Sequence, residues 1–102
     1  MQTRSYRGGP LRLVKSLRGE GLLMWGRRAS RRVAYRIDVY RQGLLLSGDG
    51  ELSGEFSELV GRSPPNARLR LAGGQELPVG LLDIGADAAS VELLSPPASI
   101  GE

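Results

Sequence analysis

The sequence of 102 residues contains no cysteine and no histidine. Disulfides, thiol chemistry and conventional zinc sites are therefore excluded. The lack of histidine also removes the usual general base near neutral pH and every serine–histidine or cysteine–histidine pair. Because the glycines form no phosphate-binding loop of recognised spacing either, we expect a protein that is not an enzyme and that uses neither a metal nor a cofactor.

Long apolar runs are missing as well. No run approaches the roughly 20 residues that a bilayer-spanning helix needs. The apolar residues near the N-terminus are interrupted by Arg12 and Lys15, unlike those of a secretory signal. We therefore expect a cytoplasmic protein without a membrane partner.

Glycine is abundant instead, with fifteen glycines and six prolines between short apolar runs. Such spacing is typical of many turns and short strands. The sequence predicts an all-β fold, a small antiparallel barrel or sandwich of six or seven strands over residues 11–94. A flexible basic arm (1–10) and a flexible tail (95–102) are expected on either side.

The clearest strand pattern lies between residues 32 and 40. Val33, Tyr35, Ile37 and Val39 alternate with polar residues, as in a strand with one buried face. Residues 41–43 are predicted to turn the chain. In the preceding segment, Leu11, Leu13 and Leu17 are expected to share one face of a strand.

Three further segments have weaker signals. Residues 48–54 form either a hairpin turn at Asp49-Gly50 or one long bent strand, and the similar segment 19–22 favours the bent strand. Ser57 is predicted to cap a single helical turn. Gly73-Gly74 is predicted to form a two-residue hairpin loop.

Charge is divided unevenly along the chain. Residues 1–41 carry ten arginines and one lysine against two acidic residues, a net charge of +9, whereas residues 42–102 carry a net charge of −6. The two halves either neutralise each other across paired strands or form two faces of opposite sign. Both arrangements fit the sequence.

The densest basic cluster is the segment from Gly26 to Arg41. Four of its arginines are placed in the turn before the strand, Arg36 points outward along the strand, and Tyr40 lies on the same face for stacking. We expect this cluster to bind an anionic partner, either a nucleic acid or an acidic protein. In the alternative, these charges bind no partner and are solvated or paired internally with Glu51, Glu55 and Glu58. The candidate residues are Arg27, Arg28, Arg31, Arg32, Arg36 and Tyr40.

Two other functions stay open. In the first, basic and acidic faces of different copies meet and form a homo-oligomer. In the second, the barrel holds an apolar ligand near Trp25, although a lone tryptophan in a small β-domain is usually part of the core.

One family comparison is possible at the level of short motifs. The segment 27–31 resembles the arginine motif of the PilZ cyclic-dinucleotide receptors, which are β-barrels. The counterpart of their second motif, residues 83–88, has Gly85 in place of serine and Ala88 in place of glycine. The resemblance therefore assigns no family.

Overall fold

The computed structural model describes residues 11–95. These residues form an all-β domain, as predicted, and the expected arm and tail lie outside the described residues except for Ser95. The elements are β1 (Arg12–Trp25), β2 (Ala29–Gln42), β3 (Leu45–Ser53), a 3-10 helix (Ser57–Leu59), β4 (Arg68–Arg70), β5 (Glu76–Ile84) and β6 (Ala88–Leu93). No helix among them is long and apolar enough to cross a membrane.

The six strands form a closed antiparallel barrel in the order β1-β2-β3-β6-β5-β4. The sheet closes where β1 meets β4 over three residue pairs, from Leu22 opposite Arg70 to Met24 opposite Arg68. Of the two predicted architectures, the barrel is therefore the one observed.

The core fills the barrel interior. The four alternating residues of β2, Val33, Tyr35, Ile37 and Val39, are all buried as predicted. Val33, Tyr35 and Ile37 are joined there by apolar side chains from β1, β3, β4, β5 and β6 and by Phe56. The outward residues of β2 are thereby fixed as Arg32, Ala34, Arg36, Asp38 and Tyr40, which alternate with the buried ones.

Strand β1 contains a bulge that the sequence pattern does not show. The register shifts between Leu13 and Lys15, so Val14 is an extra residue. Leu13 consequently lies opposite Tyr40 on the outer face, whereas Leu17 lies opposite buried Ile37. The prediction that Leu13 and Leu17 share a face is wrong.

Strand β3 runs unbroken through Gly48 and Gly50, which confirms the single long strand and excludes a hairpin at Asp49-Gly50. A Cβ atom on Gly50 would lie 2.7 Å from the Ile37 Cα and closer still to the Arg36 carbonyl oxygen. Glycine therefore lets β3 approach the backbone of β2 where the sheet curls.

The turns differ from the predictions in detail. The β2–β3 turn is Gly43-Leu44, since Gln42 already pairs with Leu45. The β4–β5 loop has three residues rather than two, because the Leu71 amide bonds to the Gln75 carbonyl oxygen and the Gly74 amide to that of Leu71.

The predicted helical turn is present as the 3-10 helix, but Ser57 does not cap it. The helix has no side-chain cap, and the Ser57 hydroxyl donates a hydrogen bond to the Glu55 carboxylate instead.

Candidate anionic-partner interface

Two of the candidate arginines lie in the hairpin turn between β1 and β2. Arg27 and Arg28 are both exposed there. The turn begins at Gly26, whose φ of 62° lies in the left-handed region that glycine tolerates. The Gly26 amide donates a 3.0 Å hydrogen bond to the Pro65 carbonyl oxygen. The loop before β4 therefore fixes the position from which these two guanidinium groups extend.

Arg31 lies within β2 rather than in the turn, and its guanidinium is already bound. It donates to the Glu55 carbonyl oxygen at 2.9 Å and forms ion pairs with the carboxylates of Glu55 at 3.5 Å and Glu58 at 2.9 Å. Its side chain is 27% exposed. For Arg31, the internal pairing that the sequence left open is the observed arrangement.

Glu55, one of the two acidic residues that bind Arg31, accepts a hydrogen bond of its own. The hydrogen bond from the Ser57 hydroxyl, with a smaller contribution from Arg31, lowers the pKa of the Glu55 carboxyl below its ordinary value of 4.5. Glu55 is therefore charged at neutral pH, and the segment carrying Glu55 and Glu58 is attached to β2 through Arg31.

Arg36 and Arg32 lie on the outer face of β2. Arg36 is directly opposite Arg18 of β1 and opposite Glu51 of β3. Like charges opposite each other destabilise an antiparallel pair. Neither Arg18 nor Arg36 forms an ion pair with any residue in the described range 11–95. An anion bound across Arg18 and Arg36 would relieve this repulsion.

Arg18 was not among the predicted site residues. Its place beside Arg36 follows from the register of β1 and β2, which runs unbroken from the turn at residues 26–28 to Lys15. Periodicity within one strand carries no information about the partner's register. We call the exposed cations Arg18, Arg27, Arg28, Arg32 and Arg36 the basic face.

Acidic side chains interrupt the basic face. Glu20 lies opposite Ala34, one row from Arg36 and one row from Arg32. Because the side chain of Ala34 is small, the surface there is hollow, about 250 Å³ in volume, and Glu20, Arg32 and Ser53 help to line it. An anion in this hollow would meet both the Arg32 guanidinium and the Glu20 carboxylate. Glu20 would therefore oppose the binding of an anion at this point.

Tyr40 shares the outer face with the arginines but is separated from them. It lies four residues beyond Arg36, about 13 Å along the strand. Between them Asp38 accepts a 2.7 Å hydrogen bond from the Ser16 hydroxyl and lies opposite Asp49, which is in turn opposite Glu92. Tyr40 and the basic face thus lie on opposite sides of an acidic row. No acidic group within residues 11–95 has the arrangement of a metal site.

The basic first half and the acidic second half of the chain thus contact each other in two different ways. Arg31 is neutralised by acids of the second half, whereas the basic face and the acidic row lie side by side on the outer surface. Both arrangements that the sequence left open occur in the same molecule.

Trp25, the centre of the apolar-ligand hypothesis, ends β1. It is half-buried and packs against the core cluster. That position is typical of a structural tryptophan at the end of a barrel.

The two segments compared with the PilZ motifs lie at the same end of the barrel. Arg31 contacts Glu55, and the amides flanking Glu55 bond to the carbonyl oxygens of Asp87 and Ala86. The Arg31 guanidinium, however, is occupied by glutamates. Comparison of the chain with protein-family models, curated proteins and solved structures found no match.

Proposed function

We propose that the protein is a small non-enzymatic binding module whose basic face contacts an anionic partner, with single-stranded nucleic acid as the favoured partner. The observation that carries the proposal is the opposed pair Arg18 and Arg36, two cations one strand apart that form no ion pair with any described residue, although Glu51 lies opposite Arg36 on β3. Guanidinium groups bind phosphates bidentately and stay charged at every physiological pH.

The proposed contact surface is smaller than the candidate set from the sequence. Arg31 is engaged by Glu55 and Glu58, and the acidic row separates Tyr40 from the arginines. The proposal therefore rests on the turn arginines 27 and 28, on Arg32, and on the pair Arg18 and Arg36. Phosphate contacts, rather than base stacking on Tyr40, are expected to supply the affinity.

Fluorescence polarisation of labelled single-stranded DNA and RNA, at 50 and 300 mM salt, tests the proposal. If the protein contacts three phosphates of a single strand, its affinity should fall about 40-fold between 50 and 300 mM salt. The variant Arg18→Glu/Arg36→Glu should abolish binding. The control is Arg62→Glu/Arg68→Glu. These two reversals change the net charge by the same amount as the test variant, and they lie outside the basic face, in the exposed loop before β4 and in β4.

Glu20→Gln provides a test in the opposite direction. Removing this carboxylate from the hollow beside Arg32 should tighten nucleic-acid binding about threefold to tenfold, as expected for one unfavourable charge contact near the surface. Failure of wild-type protein to bind at 50 mM salt, or equal losses in the basic-face and control variants, would contradict the proposal.

Self-association is a second candidate, and the adjacent rows of opposite charge favour it. The basic pair Arg18 and Arg36 lies next to the acidic row Asp38, Asp49 and Glu92. A second copy, displaced by one row, would bring opposite charges together. Sedimentation equilibrium without added partner should then show an oligomer that dissociates between 50 and 300 mM salt.

A further inference from the structure

Strands β1, β2 and β3 extend beyond the closed part of the barrel. Within the described residues, β1 pairs with β4 over Leu22–Met24, and the pairing of β3 with β6 starts at Asp49. The segments 11–18, 39–42 and 45–48 therefore form a three-stranded sheet to which neither β4 nor β6 is attached. We call these segments, with the turn at 43–44, the extension.

The extension carries four of the seven large apolar side chains that the described part of the chain exposes. Leu11 is 60% exposed, Leu13 58%, Leu45 73% and Leu44 99%. Leu13 lies opposite Tyr40, and Leu45 lies opposite Gln42. Because opposed residues of an antiparallel pair share a face, Leu13, Tyr40 and Leu45 form an apolar surface on the outer side of the sheet.

Leu44 stands at the very end of the extension. Gln42 and Leu45 pair directly, so Gly43 and Leu44 form a two-residue turn, and the φ of 62° at Gly43 is the left-handed conformation that such hairpins require. Polar residues and glycine dominate turns of this kind. Here a tight turn instead holds a leucine almost completely in solvent.

The charge of the extension has one sign. Its segments contain no aspartate or glutamate, and the nearest acids along β2 and β3 are Asp38 and Asp49. Arg12, Lys15 and Arg18 are exposed and form no ion pair with any of residues 11–95. Arg12 and Lys15 lie on the face of the extension opposite to Leu13, since they oppose Arg41 and Val39, and Arg18 lies on the outer face. The acidic residue Asp38 borders the outer apolar surface beside Tyr40.

We propose that the extension docks on an anionic lipid bilayer, with Leu44 and Leu45 entering the interface and Arg12 and Lys15 contacting lipid headgroups. Apolar side chains combined with cations are the surface chemistry that anionic membranes bind. A second copy would complement the leucines but not the charge, since two extensions meeting would bring cations together. The expectation of no membrane partner came from the absence of a spanning run, which does not bear on a surface contact.

Vesicle flotation with the full chain tests this proposal, using vesicles of phosphatidylcholine alone and vesicles containing 30% phosphatidylserine. The wild-type protein should float with the anionic vesicles and remain at the bottom with the neutral ones. Leu44→Ser should weaken the partition constant about tenfold, as expected for one leucine withdrawn from the interface. Arg12→Glu/Lys15→Glu should weaken it about fivefold or more for each cation.

Leu82→Ser is the matched control, because Leu82 is 61% exposed on β5, away from the extension. It should leave flotation unchanged. Equal losses in the Leu44 and Leu82 variants, or no flotation of the wild type with anionic vesicles, would overturn the proposal. A dimer in sedimentation equilibrium that Leu44→Ser dissociates, together with no flotation, would also overturn it and assign the leucines to self-association.

Because Arg18 belongs to both the extension and the basic face, the turn arginines are used to separate this proposal from nucleic-acid binding. Arg27→Glu/Arg28→Glu, which changes the opposite end of the β1–β2 hairpin, should reduce nucleic-acid binding and leave flotation intact. Flotation lost equally in this variant would show that vesicles attract the whole basic surface, and it would refute docking through the extension.

Discussion

The substitution Gly50→Ala should destabilise the barrel severely, although it adds a single methyl group. The new Cβ would lie 2.7 Å from the Ile37 Cα and closer to the Arg36 carbonyl oxygen. Both are backbone atoms of β2, so neither can rotate away as a side chain would. Relief requires β3 to separate from β2 at the centre of their pairing, where Gly50 is opposite Ile37.

The expected cost follows from this geometry. Inserting a methylene into a packed core costs about 1–3 kcal/mol, and contacts with backbone belong at the upper end of that range. A loss of about 3 kcal/mol would lower the melting temperature by roughly 12–24 °C in a domain of this size. With an m-value of about 1.5 kcal/mol/M, the urea midpoint would fall by about 2 M.

Gly73→Ala supplies the control for this measurement. Gly73 lies exposed in the β4–β5 loop, and a Cβ there would meet no atom within 4 Å. Its urea midpoint, followed by circular dichroism, should stay within about 0.5 M of the wild type. A Gly50→Ala midpoint equally close to the wild type would refute the close approach of β3 to β2 at this position.

Two further predictions concern single contacts. Tyr35→Phe removes the hydroxyl that accepts a 3.0 Å hydrogen bond from the Ala72 amide; it should cost about 1 kcal/mol, or roughly 4–8 °C in a thermal melt, whereas Tyr40→Phe on the outer face should change the melting temperature little. Ser57→Ala removes the main cause of the lowered pKa of Glu55, so the carboxyl resonance should titrate at higher pH in the variant. Because the pKa in the folded state is lower than in the unfolded state, the stabilisation by Glu55 is present above pH 4.5 and is lost as the pH falls through the lowered value; an unchanged titration of Glu55 in the variant would contradict the assignment.

The sequence alone predicted the buried face of a strand correctly where that face depends on the strand itself and not on its partner. In β2, alternation of β-branched and aromatic residues with polar ones identifies the buried face without any reference to a partner strand. The same reasoning fails at β1, because a bulge is a property of two strands. Val14 is an extra residue only relative to β2, so the apolar alternation of Leu11, Leu13 and Leu17 suggests a shared face that does not exist.

The adjacent residues Arg31 and Arg32 show the same limit within the candidate site. The sequence places both in a turn, where each would be free to contact a partner. The strand begins at Ala29 instead, so the two side chains point to opposite sides. The Arg31 side chain forms ion pairs with Glu55 and Glu58, whereas the Arg32 side chain borders the hollow beside Glu20. A shift of four residues in the start of the strand thus decides whether an arginine is structural or available.

The position of the β2–β3 turn likewise determines the apolar end of the extension. If residues 41–43 formed the turn, Leu44 would begin a strand and could be buried; with the turn at 43–44, Leu44 is at the tip and Leu45 is on the outer face. The leucines and the turn arginines lie at opposite ends of β2, whose 14 residues correspond to about 43 Å of strand. That separation is several Debye lengths at physiological ionic strength. A bilayer bound at the leucines would leave Arg27 and Arg28 outside its electrostatic field and accessible to a second anionic partner. Arg18 belongs to both proposed surfaces, so Leu44 and the turn arginines, rather than Arg18, separate the two proposals in experiment.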